Sequence, residues 1–219
     1  MIFVYKLPFL TMVQKAKTIK LYDGDIPKNL NLGNSIAIDT ETMGLNINND
    51  RLCLIQMATK NGECHMIKFK KKYDAPNLKS ILENKLILKI FHYARFDVAV
   101  IKKNLKIDCS PIYCTKIASK IARTFSNRHG LKDLCKDLLT VNINKQNQTS
   151  DWGCEKLTEE QIDYAANDVL YLHEIKNKLD VMLKREDRKY LADACFNFLP
   201  TRSEFDLIGW QEKDIFQHE

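Results

Sequence analysis

The 219-residue chain reads as an α/β protein: a mixed five-stranded sheet flanked by helices. Three observations predict this. Three short, apolar, β-branched segments come early, at Ser35 to Asp39, Leu52 to Ala58 and Glu63 to Lys68. Strand and helix patterns then alternate from Ala75 to Cys114. Everything beyond Thr115 carries helical spacing or loop composition. A run of strands followed by strand–helix–strand units closes into one sheet covered by helices.

The elements follow in order. Residues 1 to 18 are expected to be an N-terminal extension, poorly ordered, with Met12 an alternative start. Its apolar stretch, Ile2 to Leu10, is far too short to span a bilayer. Ser35 to Asp39 is the first buried strand, and the polar loop Asn46 to Asp50 joins it to Leu52 to Ala58. Lys60-Asn-Gly62 is a hairpin signal, so the first three strands form an antiparallel meander. A helix over Ala75 to Asn84 leads to strand Leu86 to Phe91. The next helix, Ala94 to Lys103, is apolar at Phe96, Val98, Ala99, Val100 and Ile101. Ser110 to Cys114 is the fifth strand. Helices are expected at Thr115 to Ala122, Gly130 to Leu138, Thr158 to Leu183 and Glu186 to Phe198. Thr158 with Gln161 three residues later is a capping-box signature. Residues 19–199 then form one domain, and 200–219 an aromatic tail. That tail packs on its own domain or on a neighbouring subunit, since interface cores favour aromatics.

Composition narrows the class. Hydrophobic residues are 45% and charged residues 28%, an ordinary globular balance. The net charge is +6, which suits a polyanionic partner and equally a solvated lysine-rich surface. The seven cysteines are an odd number and include no Cys-x-x-Cys, against both a disulfide framework and a zinc site. Reduced thiols point to the cytoplasm. The histidines show no metal-ligand spacing.

The chemistry lies in the acids. In Ile36-Ala-Ile-Asp-Thr-Glu-Thr-Met-Gly-Leu45, Asp39 and Glu41 are two apart at the end of a strand and project to one face. Two adjacent carboxylates repel unless a proton or a hard cation such as Mg²⁺ or Mn²⁺ separates them. Alone, the pair reads better as a polar strand exit with a turn at Gly44, because Asp-x-Glu is common. Asp97 falls in the first turn of a helix, where an acid is favoured on any account. Tyr164 and Asp168 are four apart and share a helix face, as in many amphipathic helices.

Taken together and in order, Asp39, Glu41, Asp97, Tyr164 and Asp168 resemble the DEDD 3′–5′ exonucleases of the tyrosine subclass. Ser150-Asp-Trp152, Leu157-Thr158 and Tyr164-Ala-Ala-Asn-Asp-Val169 resemble the ribonuclease D group. Asp50-Arg-Leu-Cys-Leu-Ile-Gln56, Lys89-Ile-Phe-His92, Cys114-Thr-Lys-Ile-Ala-Ser-Lys120, Asn127-Arg-His-Gly-Leu131 and Ala194-Cys-Phe-Asn-Phe-Leu-Pro200 are similar to a small single-domain bacterial branch, nanoRNase C. The resemblance implies a ribonuclease H-like sheet and removal of nucleotides from 3′ ends. Very short RNA, dinucleotides above all, is the implied substrate, and a ring-shaped octamer the implied assembly. It also implies two Mg²⁺ or Mn²⁺ ions per active site, held by Asp39, Glu41, Asp97 and Asp168, with Tyr164 orienting the attacking water. Leu45 would wedge between bases, Phe96 would line the same pocket, and the backbone near Thr42 and Met43 would hold the 3′ hydroxyl. Arg128, His129, Lys145 and Gln148 are candidate partners of the 5′ phosphate, although Arg128 and His129 serve equally as a helix cap. A general exonuclease on longer RNA or DNA 3′ ends is the alternative. An inactive nucleic-acid-binding module and a structural oligomer are the non-enzymatic readings.

Overall fold

A computed structural model describes residues 18–143 and 150–218. Its sheet has six strands, one more than the pattern predicts: β1 (Thr18–Asp23), β2 (Ser35–Thr42), β3 (Leu52–Thr59), β4 (Glu63–Lys68), β5 (Leu88–Phe91) and β6 (Ile112–Cys114). They lie in the order β1-β4-β3-β2-β5-β6. β2, β3 and β4 form the expected antiparallel meander, with Gly62 at φ 84° in the loop between the last two. β5 and β6 add in parallel to β2. The extra strand, β1, runs parallel to β4 at the sheet's edge. Only Ile19 and Tyr22 are half-buried and the rest are exposed, so it lacks the apolar run that marks the inner strands. Tertiary contacts hold it: the Tyr22 ring stacks on His65 and its hydroxyl lies 3.1 Å from Nδ1. Of the expected N-terminal extension, only residue 18 falls among the described residues, and it belongs to this strand.

The helices are α1 (Pro76–Glu83), α2 (Ala94–Leu105), α3 (Thr115–Ala122), α4 (Leu131–Leu134), α5 (Glu159–Leu170), α6 (Leu172–Arg185) and α7 (Lys189–Leu207). α4 runs on into a wider, π-helical turn at Cys135–Leu139. One expected helix, Thr158 to Leu183, is two. Val169, Leu170, Tyr171, Leu172 and His173 are all buried, so the chain around the break is enclosed on every side. The helical run is interrupted at Tyr171, φ −93° and ψ −9°, between α5 and α6.

The last helix starts later and runs further than Glu186 to Phe198. It continues through Pro200, so the boundary expected between 199 and 200 falls inside it. Proline normally halts a helix. Here tertiary bonds carry it on. Asp206, fully buried, accepts from Arg95 Nε and Nη2, both at 2.7 Å, and from Arg202 Nη2 at 2.9 Å. Ser203 Oγ donates to Leu199 O at 2.9 Å. The helical part of the tail therefore packs on its own domain, against α2. Among the described residues, no helix is long and apolar enough to cross a membrane.

Candidate active site

The carboxyl end of β2 carries Asp39 and Glu41 on one face of the sheet. Beyond them the β2–β3 register shifts between Glu41 and Thr42, freeing the strand end from regular pairing. α5 closes over this end. Its capping box is complete: Gln161 N donates to Thr158 Oγ1 at 3.2 Å, and Thr158 N to Gln161 Oε1 at 2.9 Å. That start point sets the phase of the helix and brings Tyr164 and Asp168 to the acids. Carboxylate oxygens of Asp39, Glu41 and Asp168 lie within 4.8 Å of one another. α2 begins at Tyr93 in a left-handed turn, φ 67°, and delivers Asp97 in its first turn. Asp97 is buried and accepts from Thr40 Oγ1 at 2.7 Å.

Together these residues line one cleft of about 540 Å³, with Thr42, Met43, Leu45 and Phe96 on its walls. Leu45 stands out into it, 86% exposed. Gly44 sits close under the Asp50 carboxylate, where a Cβ would come within 2.4 Å of Oδ2. Arg128 and His129 do not line the cleft. Arg128 pairs with Asp133 and Asp137 of the α4 segment, and His129 Nδ1 lies 2.8 Å from Ser119 Oγ. Neither side chain caps the α4 helix, whose N-cap is Gly130. Lys145 and Gln148 lie outside the described residues.

Several residues in or behind the cleft were not proposed from sequence as site residues. Gln56 pairs with Asp39 across β2–β3 and donates from Nε2 to Asp39 Oδ2 at 2.7 Å and Glu41 Oε1 at 3.5 Å. Only the hairpin register reveals it. His92, Tyr93 and Lys116 line the wall near α2, with Lys116 Nζ 4.4 Å from the Tyr93 ring centre. Trp152 is buried beside Tyr164, their ring centres 6.0 Å apart.

Burial pushes the Asp39 carboxyl well above the ordinary carboxylate range, and Asp97, Asp168 and Glu41 push it further. Burial does the same to Glu41, with Asp168 and Asp97 adding to it. Asp97 is raised to about 7, chiefly by burial, against the opposing Thr40 hydrogen bond. Burial and the nearby Asp168 and Glu41 raise Tyr164, so its phenol stays protonated. Crowded carboxylates with nothing but oxygen donors fit a hard divalent cation, which would relieve the repulsion that now favours protons.

This has a measurable sign. The folded pKa values lie above those of the unfolded chain, so between about pH 4 and 7 the native state binds more protons, and the cluster's contribution to stability falls as pH rises. A divalent cation substitutes for those protons. Mg²⁺ is therefore expected to raise the thermal midpoint more at about pH 8 than at about pH 5.5. Calorimetry with and without Mg²⁺ checks this; an equal shift at both would count against the cluster as the metal site.

With this geometry in view, the relatives are informative. Residues 21–184 match the model of a 3′–5′ exonuclease domain. NrnC of Brucella melitensis, solved with bound pGG, superposes with a TM-score of 0.89 at 48% identity, covering 92% of this chain and 99% of that one. Its Mg²⁺-bound form gives 0.88 at 47%, covering 92% and 100%. A ribonuclease D of Acidiphilium cryptum is 28% identical over 153 residues, 70% of this chain but 39% of that relative. The chain thus spans about four tenths of the length of these ribonuclease D relatives. Four acids and a tyrosine on one cleft, within a matched segment of this length, place the chain in the 3′–5′ exonuclease family.

Proposed function

We propose that the protein is a metal-dependent 3′–5′ exoribonuclease that hydrolyses very short RNA, dinucleotides above all, to nucleoside 5′-monophosphates. The observation that carries the reading is the convergence of Asp39, Glu41, Asp97, Tyr164 and Asp168 on one cleft. Asp39, Glu41 and Asp168 would hold one ion, and Asp39 with Asp97 the second. When bound, two Mg²⁺ or Mn²⁺ ions supply charge stabilisation for the attacking and leaving oxygens. The chain's own groups do the rest. Gln56 fixes the Asp39 and Glu41 carboxylates. Tyr164, protonated, orients the attacking water rather than removing its proton. Leu45 and Phe96 offer apolar surface to the bases, and the backbone near Thr42 and Met43 holds the terminal hydroxyl. Lys116 brings an ammonium to the cleft wall beside Tyr93, suited to a substrate phosphate.

The pGG complex of the Brucella protein supports the substrate class. Seven cysteines without a disulfide support a cytoplasmic setting. Exposed Ile208, Ile215 and Phe216 at the tail support assembly into the ring-shaped homo-octamer the resemblance implies. A time course on labelled RNA of two, three, seven and twenty nucleotides, with matched DNA and either metal, tests the proposal. A sharp rate maximum at the dinucleotide is expected. Equal rates at every length would favour the general exonuclease on longer RNA or DNA.

A further inference from the structure

Two cations in this fold hold a loop rather than an acid. Lys68, at the end of β4 and 8% exposed, donates from Nζ to the carbonyls of Cys154, at 2.6 Å, and Glu155. Arg51, just before β3, donates from Nη1 to Phe69 O at 3.1 Å and Lys70 O at 2.6 Å. Its Nη2 reaches Gly153 O at 3.4 Å. Burying an ammonium is costly, and main-chain carbonyls compensate it less than a carboxylate would.

The segment these cations hold, 150–157, is neither helix nor strand. It lacks a backbone ladder, so its shape has to be imposed from outside. From the other side Gln161 Nε2 donates to Asp151 O at 3.0 Å and Ser150 Oγ at 3.3 Å. Gly153 lies so close beneath Met43 and Arg51 that a Cβ there would come within 2.4 Å of Met43 Sδ and 2.9 Å of Arg51 Nη2. The residue held in this clamp is Trp152, 2% exposed, walling the cleft against Tyr164. A well-packed core would hold the same loop without a buried charge. Hydrogen bonds to three consecutive carbonyls hold it in one place.

We propose that Lys68 and Arg51 are positioning residues for hydrolysis: they clamp segment 150–157 so that Trp152 packs on Tyr164 and sets its hydroxyl relative to Asp168. This rests on the reading that Tyr164 orients the attacking water. Neither cation lines the cleft. Their influence passes through the loop and the indole, and it belongs to the turnover step rather than to substrate affinity.

The test uses the full chain carrying Trp210→Phe. The chain has two tryptophans, so this leaves Trp152 as the sole emitter, and the replaced residue is in the tail, away from the cleft. In that background Lys68→Met is expected to lower kcat by about 10²-fold, the loss a roughly 1 Å misplacement produces, with KM near the parent value. Trp152 emission should shift to the red as its packing loosens. Lys68→Arg, which keeps a cation over the carbonyls, should recover both. Native kcat or unmoved emission in Lys68→Met, measured below its thermal midpoint, would overturn the proposal. So would a loss confined to KM. If Lys68→Met does not fold, Arg51→Lys keeps the charge but loses the fork, and should show a smaller kcat loss with the same red shift; native values there overturn it equally. A parent with no metal-dependent hydrolysis at all would sink the exonuclease reading, and this proposal with it, an outcome distinct from an active parent whose variants match it.

Discussion

Asp39→Asn is expected to lower kcat on a dinucleotide by on the order of 10⁴-fold or more, the scale seen when one member of a catalytic unit is removed. Asp39 is central to the cluster: Glu41, Asp97 and Asp168 all press on its carboxyl, and Gln56 donates to its Oδ2. An amide there replaces one ligand oxygen by an N–H donor that repels a cation. The fold is expected to gain from the same change. A buried carboxylate crowded by three others costs stability when ionised, so the metal-free variant should be more stable at about pH 8 by roughly 1–2 kcal/mol. Activity and thermal unfolding on one preparation check both parts. An Asp39→Asn protein that turns over near the native rate would remove the cleft as the reaction site. Lost activity together with a lower midpoint would point to misfolding instead.

Asp206→Asn is expected to cost about 2–4 kcal/mol, lowering the thermal midpoint by roughly 5–15 °C. The reason lies in its partners. Asp206 is fully buried and anchors two guanidinium groups, Arg95 from α2 and Arg202 one helical turn back. The hydrogen bonds to Asp206 favour the charged form of Arg95. An amide cannot neutralise either cation, and both would be left short of a counter-charge in a partly dry setting. The effect should extend to function, because Arg95 lies two residues before Asp97 at the start of α2. Replacing Arg95 and Asp206 together by Leu should be milder than the sum of the single changes, since it removes both ends of the Arg95–Asp206 pair and leaves only Arg202 short of a counter-charge. Additive effects in that cycle would mean that the pair does not hold the tail to α2.

Much of this molecule was legible before any fold was known. The meander around Lys60-Asn-Gly62, the Thr158–Gln161 cap and the two-residue spacing of Asp39 and Glu41 are local signals. A strand's alternation and a helix's turn fix which residues share a face regardless of what they pack against. β1 was not legible, because an edge strand half in water carries no apolar run. Nor was the break at Tyr171, which answers to burial on both sides of one residue. The stretch of α7 beyond Pro200 is tied down through Asp206, whose partner Arg95 is 111 positions away in sequence. At the site, the acids and Tyr164 were readable because their order and neighbouring words are distinctive. Gln56 was not, since only the β2–β3 register sets it opposite Asp39. Arg128 and His129 read from sequence equally as phosphate ligands or a helix cap; only the tertiary structure shows Arg128 beside Asp133 and Asp137, and His129 beside Ser119. Sequence thus determined which groups carry the chemistry and the periodicity that orients them; tertiary structure decided their partners, because pairing depends on distances that no local spacing encodes.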